Sequence, residues 1–383
     1  MSTVVYAGSF DPLTIGHLNI IEQAAKSFQE VIVLVATNPE KADGYMFSAI
    51  SRRSMIEPAV EHLPNVKTDI LKGGYTVDYA ERVGATSLVR GLRDKEDFKT
   101  EQQNFIFNNF ANSSISTVFL MAPPEIAHIS SSYVKKHCYG ITGWIDMVEK
   151  YVPKSVKTHL MSNYFFEIYE KYVGEVGVPC NLLYSAYRRK ERHYHDVSHI
   201  IRMHDELTDF YNYASSQDSS SEPWRRIAMI ATLFHDYYIN SDPMADGTTR
   251  YDTNVLNDSM QKFLDDFNHV AGLTFLDREN VLKAILATDN HLRGEGCPPI
   301  CFSAVADADL AIFGQSPEIY DQYAAGIRAE YAFASDEDFK AGRIKVLRKF
   351  LGRPHIYQTG FFREKYAARA RANLTRELSS LQV

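Results

Sequence analysis

The sequence predicts two domains of different class, an α/β domain built on a parallel sheet over residues 1–160 and an all-α domain over residues 164–383. Three observations carry this. Short continuous apolar runs, Val4-Val5-Tyr6-Ala7 and Val31-Ile32-Val33-Leu34-Val35-Ala36 among them, alternate with helical stretches in the first part, as strands covered on both faces do. From about Asn163 they give way to long helical periodicities rich in Tyr, Phe and Arg, with almost no β-branched runs. The length of 383 residues also exceeds one ordinary core and fits two to three domains.

The first apolar run leads into Gly8-Ser9-Phe10-Asp11-Pro12-Leu13-Thr14-Ile15-Gly16-His17, and the amphipathic segment Leu18–Phe28 follows. This reads as strand, turn and helix. Gly8 and Gly16 allow backbone to approach a ligand, Pro12 fixes a turn, and Thr14 stands where its oxygen caps the helix. His17 then lies in the first turn, where unpaired N–H groups and the helix dipole favour an anion. Thr14-x-Gly16-His17 therefore reads as a phosphate cradle containing a hydrogen-bond donor. An ordinary βα turn with a surface histidine is the alternative.

The strand from Val31 ends at Thr37-Asn38-Pro39-Glu40-Lys41, on the carboxyl edge where open α/β sheets bind ligands. Lys41 is a candidate phosphate ligand or a solvated loop lysine. Ser51–His62 reads as a helix, Val66–Leu71 as a strand, Thr76–Val83 as a helix opened by Gly73-Gly74, and Thr86–Val89 as a strand. Arg90 and Arg93 leave that strand's carboxyl end and flank Gly91-Leu92, and their planar forks suit phosphate oxygens. After the strand Thr117–Met121, Ser130-Ser131-Ser132 opens another helix and supplies a second anion site.

The first stretch resembles the GxFDPxTxGH signature of the nucleotidyltransferase superfamily. Val89-Arg90-Gly91-Leu92-Arg93-Asp94, followed by Asp97-Phe98 and Glu101, resembles the RGLR…DF…E block of bacterial phosphopantetheine adenylyltransferases, and Ile129-Ser130-Ser131-Ser132-Tyr133-Val134-Lys135 resembles their ISSSxVK block. The resemblance covers about the first 160 residues. It implies a Rossmann-like nucleotidyltransferase that moves an adenylyl group from ATP, with Mg²⁺, to 4′-phosphopantetheine, giving dephospho-CoA and pyrophosphate in coenzyme A biosynthesis. It makes His17, Lys41, Arg90 and Arg93 catalytic. Ser9, Phe10, Lys41, Tyr75, Thr76 and Arg90 would meet phosphopantetheine; Ser9, Phe10, His17, Gly91, Arg93, Glu101, Ser130, Ser131 and Ser132 would meet ATP. A homo-oligomer, a hexamer, is also implied, with CoA itself among the ligands. Transfer to another acceptor, such as nicotinate mononucleotide, remains the alternative, although the enzymes that do so share the first block and lack RGLR.

In the second part, His195 and His199 stand four apart, His235-Asp236 ends an apolar helix, and Asp307-Ala308-Asp309 follows in a third. Imidazoles and carboxylates from separate helices suit a divalent transition metal, Mn, Fe, Co, Ni or Zn. The ordered set His…His-Asp…Asp resembles the HD-domain metal-dependent phosphohydrolases over about residues 164–380. Arg192-x-Tyr194-His195 and Ile327-Arg328-x-Glu330-Tyr331 resemble an uncharacterised HD subfamily. By that resemblance His199, His235, Asp236 and Asp309 are the ligands, with His195 and Asp307 as competitors, and His291 holds a second metal or donates to phosphate. Arg328 and Arg343 are candidate phosphate clamps or surface charges. A metal-bearing sensor or assembly domain without turnover is the alternative.

Composition bounds the rest. Hydrophobic content of 45% and charged content of 23% are those of a globular protein, and a net charge of -7 argues against a nucleic-acid binder. Four cysteines make no disulfide framework, and Cys297-Pro298-Pro299-Ile300-Cys301 lacks a second Cys or His pair for a metal clip. No apolar run reaches the roughly 20 residues needed to span a bilayer, and no leader precedes the first strand, so a cytoplasmic protein is expected.

Overall fold

The structure is a computed structural model that describes residues 2–37, 44–93, 95–111, 114–139, 141–175, 178–217, 222–237, 272–293 and 300–382. The chain divides into two compact units, Met1–Leu160 and Met161–Val383.

The first unit runs β1 (Thr3–Gly8), α1 (Ile15–Ser27), β2 (Glu30–Val35), α2 (Ala49–Val60), β3 (Val66–Ile70), α3 (Thr76–Arg82), β4 (Ser87–Leu92), α4 (Lys95–Ala111), β5 (Ser116–Met121), α5 (Ser131–His137) and α6 (Trp144–Val148), and the helix α7 (Lys154–Tyr172) follows. The five strands form one sheet in the order β3-β2-β1-β4-β5, every pair parallel. Alternation along β1 sends Val5 and Ala7 to one face, where they join Ile32, Leu34 and Leu88 under Val77, Tyr79 and Ala80 of α3. The opposite face takes α1, whose Ile20, Ile21 and Ala24 are buried. Gly91 on β4 is glycine for this packing, since a Cβ there would lie 3.0 Å from Ile20.

From β1 the chain moves outward through β2 and β3, then returns to the other side of β1 for β4 and β5. The reversal lies between β1 and β4. Helices leaving those two strands diverge and open a crevice at their carboxyl ends, where a doubly wound sheet binds its ligand. The first helix begins at Ile15, directly behind the Thr14 cap, as expected. One boundary differs from expectation: β4 continues to Leu92, so Arg90 lies within the strand instead of beyond it.

Among its described residues the second unit holds helices joined by turns and loops, and no strand: α8 (Val178–Tyr187), α9 (Val197–Gln217), α10 (Glu222–Phe234), α11 (Phe275–Arg293), α12 (Ile300–Asp309), α13 (Pro317–Glu330), α14 (Asp336–Leu351) and α15 (Gly360–Leu381), with a 3₁₀ segment at Leu310–Gly314. Helices α9, α10, α11 and α12 pack on one another, and α15 lies against the 3₁₀ segment. Gly314 permits that contact, since a Cβ there would come within 2.4 Å of Tyr366. Among the described residues no helix is long and apolar enough to cross a membrane.

Candidate functional sites

The first site gathers at the sheet reversal. Thr14 caps α1, and the Thr14 backbone N–H donates to Nδ1 of His17 at 3.1 Å, which closes a reciprocal capping box. That bond fixes the tautomer: with Nδ1 accepting, the neutral ring carries its proton on Nε2. Burial, with Arg93 adding its positive charge, lowers His17 from 6.5 to about 4. His17 is thus a neutral Nε2–H donor at physiological pH.

Around it the turn is held from several sides. Phe10, at φ 47°, is 1% exposed, with its ring edge-on to Tyr6 and to His17 at 5.4 and 5.3 Å. Its ring is enclosed, so Phe10 would meet a ligand through its main chain. Gly8 serves the same ring, since a Cβ there would stand 3.0 Å from it. Asp11 is buried and accepts the N–H groups of Met46 and Phe47 at 2.9 and 3.0 Å and the Lys135 ammonium at 3.0 Å. Arg52, also buried, donates to the carbonyls of Ser9 and Ala36 at 2.6 and 3.1 Å and to Thr37 Oγ1 at 2.9 Å. It ties the ends of β1 and β2 together, a role that no local pattern around Arg52 announces.

Arg90 donates to the Ala7 carbonyl at 3.2 Å and its Nε stands 3.4 Å from Glu101 Oε2. Arg93 is paired side-on with Asp97 at 2.7 and 2.9 Å. Ser9 is exposed at the mouth of this edge. Of the three serines at α5, Ser130 accepts the Tyr133 N–H at 3.1 Å and Ser131 donates to the Pro12 carbonyl at 2.8 Å. Those two hydroxyls hold the helix and the turn in place, and Ser132 is the exposed one. Tyr75, 58% exposed, and Thr76 open α3 beyond the end of β3. Lys41 lies outside the described residues.

The second site is a candidate metal centre. His199 is the third residue of α9, His235 and Asp236 directly follow α10, and Asp309 ends α12. His199, His235 and Asp309 offer ligand atoms that all lie within 4.8 Å of one another. The two Nε2 atoms are 3.2 Å apart, Asp236 Oδ2 is 3.1 Å from His235 Nε2 and 3.5 Å from His199 Nε2, and Asp309 Oδ1 is 3.3 Å from His199 Nε2. Atoms bound about 2.1 Å from one ion stand roughly 3.0–3.4 Å apart on adjacent corners, and the spacings about His199 Nε2 come near this, with His235 Nε2 and Asp309 Oδ1 wider at 4.0 Å; Asp236 faces both imidazoles from outside the group of three.

The tautomers agree. His235 Nδ1 lies 2.9 Å from the Thr232 carbonyl, which can only accept, so Nδ1 carries the proton and Nε2 of the neutral ring turns a lone pair on Asp236. Asp236 Oδ2 accordingly has no hydrogen-bond partner although it is buried. Two acceptors face to face call for positive charge between them. The carboxylates raise His199 to about 9 against the burial that lowers it, and they raise His235 in the same way. A divalent cation would supply that charge and leave both imidazoles neutral.

The other expected participants are placed differently. Asp307 is buried and accepts the N–H groups of Gln358 and Thr359 at 2.8 and 2.7 Å, so it caps the approach to α15 and is spent there. His195 gives its Nδ1 edge to Glu330 at 2.6 Å and stands beside the cluster, its ring edge-on to His199 at 5.6 Å. Arg343 is buried in a two-pronged pair with Glu377 at 2.7 and 3.0 Å, and Arg328 closes the end of α13 on Tyr331, Ala334 and Asp336, so both guanidiniums are engaged within the fold. The side chain of His291 lies outside the described residues.

Two residues carry more of this site than their place in the sequence suggests. Glu330 Oε1 accepts the N–H groups of His193, Tyr194 and His195 at 2.8, 2.9 and 3.0 Å. Burial alone would raise it, but His195 and these bonds hold Glu330 down at about 2. Arg192 donates to the carbonyls of His195, Asp236 and Tyr237 at 3.0, 2.8 and 3.0 Å, joining the loop before α9 to the turn after α10.

Comparison with known proteins bears on the first unit. The cytidylyltransferase-like family matches residues 5–137. A protein of Neisseria meningitidis called phosphopantetheine adenylyltransferase is 40% identical over 163 residues, which are 43% of this chain and 94% of that protein. Through its first unit the chain belongs to the phosphopantetheine adenylyltransferase family. Proteins of the same name from Symbiobacterium thermophilum and Finegoldia magna are 43% and 44% identical over 36% and 35% of this chain and 84% and 80% of their own lengths. All three matches leave the larger part of the chain uncovered.

Proposed function

We propose that the first unit transfers an adenylyl group from ATP to 4′-phosphopantetheine, releasing pyrophosphate and dephospho-CoA, a step of coenzyme A biosynthesis. The observation that carries this is His17, held as a neutral Nε2–H donor at the sheet reversal of a chain whose relatives are named for that activity. A phosphate oxygen of the acceptor attacks the α-phosphorus in line as the bond to pyrophosphate breaks. His17 donates to the charge that grows on the transferring group, and Arg90 and Arg93 hold phosphate oxygens, with Lys41 as a further cation. Mg²⁺, when bound with ATP, would supply positive charge for the leaving pyrophosphate. Ser9, the Phe10 main chain, Tyr75 and Thr76 line the acceptor's path, while Gly91, Glu101 and Ser132 stand on the nucleotide side. As in the resemblance drawn above, the assembly is a homo-hexamer. The test offers phosphopantetheine and nicotinate mononucleotide side by side and follows pyrophosphate; release with the second and not the first would replace the acceptor.

The second unit we read as an HD-type phosphohydrolase. Its support is the His235 lone pair turned on the partnerless Asp236 oxygen at 3.1 Å. His199, His235, Asp236 and Asp309 would hold a divalent transition metal, which supplies Lewis acidity for attack of water on a phosphoester or phosphoanhydride. Glu330 and Arg192 keep the His195 loop and the Asp236 turn in register. Elemental analysis of the full chain, with phosphate release from a panel of phosphate esters under several divalent metals, tests it. Protein that takes up no metal overturns the reading; protein that binds metal and releases no phosphate is a sensor instead.

A further inference from the structure

Asp11 lies in the turn that presents His17, and it is 2% exposed. Both of its oxygens are engaged: Oδ1 accepts the Phe47 N–H at 3.0 Å, and Oδ2 accepts the Met46 N–H at 2.9 Å and the Lys135 ammonium at 3.0 Å. Arg52 is close by, but its guanidinium bonds go to the Ser9 and Ala36 carbonyls and to Thr37 Oγ1. Among the described residues Lys135 is therefore the cation bonded to this carboxylate. It is carried there by α5, where Ser131 and Lys135 stand four apart on one face. The two grip consecutive residues of the turn, Ser131 the Pro12 carbonyl at 2.8 Å and Lys135 the Asp11 carboxylate. Lys135 also reaches the Gly44 carbonyl at 3.4 Å, so one ammonium joins α5, the turn and the stretch that leads into α2.

A carboxylate is well suited to fix such a turn, since it can take several N–H groups at once, but its charge opposes the ligand the turn receives. For a ligand of several negative charges, one uncompensated carboxylate about 10 Å away costs on the order of tenfold in affinity. Burial makes this worse, because water screens an enclosed charge poorly. We propose that Lys135 is a positioning residue of the adenylyl site that acts through Asp11. Its ammonium cancels the buried charge, so the carboxylate can hold the turn by its N–H bonds without repelling the anions that His17, Arg90 and Arg93 receive. Lys135 itself does not touch the substrates. The identity of those anions rests on the adenylyl-transfer reading of the same site.

The test is calorimetric binding of ATP and of pyrophosphate to the full chain and to its Lys135→Met, Lys135→Arg, Asp11→Asn and Asp11→Asn/Lys135→Met variants, each checked for folding by circular dichroism and urea midpoint. Lys135→Met leaves the carboxylate bare and should weaken both ligands about tenfold. Adding Asp11→Asn should return both to within about threefold of wild type, because the opposing charge is gone, and Lys135→Arg should stay within about threefold because it keeps the cation. A double variant as weak as Lys135→Met would show that the ammonium meets the ligand itself. Unchanged affinity in a folded Lys135→Met protein would make the pair a strut of the fold alone. Either result overturns the proposal. Should Lys135→Met not fold, Asp11→Asn by itself decides: it leaves the lysine charge uncancelled and should tighten both ligands about threefold, and no gain overturns the proposal. Because pyrophosphate binding needs no turnover, the expected pattern without transfer to phosphopantetheine would uphold the role of Lys135 and overturn the reaction assigned to the site.

Discussion

His17 and His199 occupy the same local position and behave in opposite ways. Each is the third residue of its helix, behind a capping side chain, Thr14 in one case and Asp196 in the other. Each meets a helix N-terminus, which disfavours a protonated ring. Yet burial takes His17 down to about 4, while His199, only 2% exposed, rises to about 9 against its burial because the Asp236 and Asp309 carboxylates stand 3.5 and 3.3 Å from its Nε2. The cap-x-x-His pattern is shared; what differs is whether carboxylates arrive from other helices. One histidine is thereby kept as a neutral donor for an anion, and the other becomes part of an anionic cluster that calls for a cation.

The largest test of this contrast removes a carboxylate. Asp236→Ala takes away the oxygen that faces both imidazoles, and metal affinity is expected to fall more than about a hundredfold, with any phosphate release. Adenylyl transfer should stay within about twofold of wild type. Metal retained at wild-type content would show that the cluster does not need Asp236. Next in size, His17→Ala should lower the turnover of adenylyl transfer by about 10²–10³ while leaving the Michaelis constant for ATP within about threefold, because the imidazole acts on charge that grows in the transition state. A turnover number close to wild type would return His17 to a purely structural cap.

How much of this was legible in the sequence follows from how locally each feature is made. The Thr14 cap, the His17 turn and the strands β1 and β2 are written within a few residues, and the parallel sheet follows from their runs. Partners that arrive from far along the chain were not. Asp307 and Asp309 are two apart on one helix and look equivalent, but only the structure shows that backbone 51 and 52 residues away takes Asp307. Arg343 reads as a free cation until Glu377, 34 residues on, closes on it. Glu330 lay within a recognised motif, yet its work is done on N–H groups 135–137 residues earlier.

Glu330 supplies the third test. Glu330→Gln keeps the shape but loses the charge that receives three N–H groups and the His195 ring, and a loss of about 2–4 kcal/mol is expected in urea unfolding. Since Glu330 stands at about 2 against an ordinary 4.5, its contribution is present above pH 4.5 and is lost as the pH falls toward 2. A variant as stable as wild type at neutral pH would mean that the loop before α9 holds its own shape.

The smallest expected effect isolates the titration of His17. The folded chain keeps its ring neutral down to about 4, whereas an unfolded chain protonates it near 6.5. Between those values the unfolded state binds more protons, so the stability His17 contributes is intact above about pH 6.5 and drains away as the pH falls to about 4. Full desolvation would make this about 3 kcal/mol, and a ring that keeps partial contact with water should show roughly 1–2 kcal/mol. His17→Gln is the suitable control, because glutamine at this helix position can still close the capping box on Thr14 and carries no titrating group. Urea midpoints taken from pH 8 to pH 4 should fall more steeply for wild type than for His17→Gln, the gap opening only below about pH 6.5. Parallel curves would mean that His17 protonates as easily in the folded chain as outside it, and the difference drawn between His17 and His199 would then lie in their carboxylates alone.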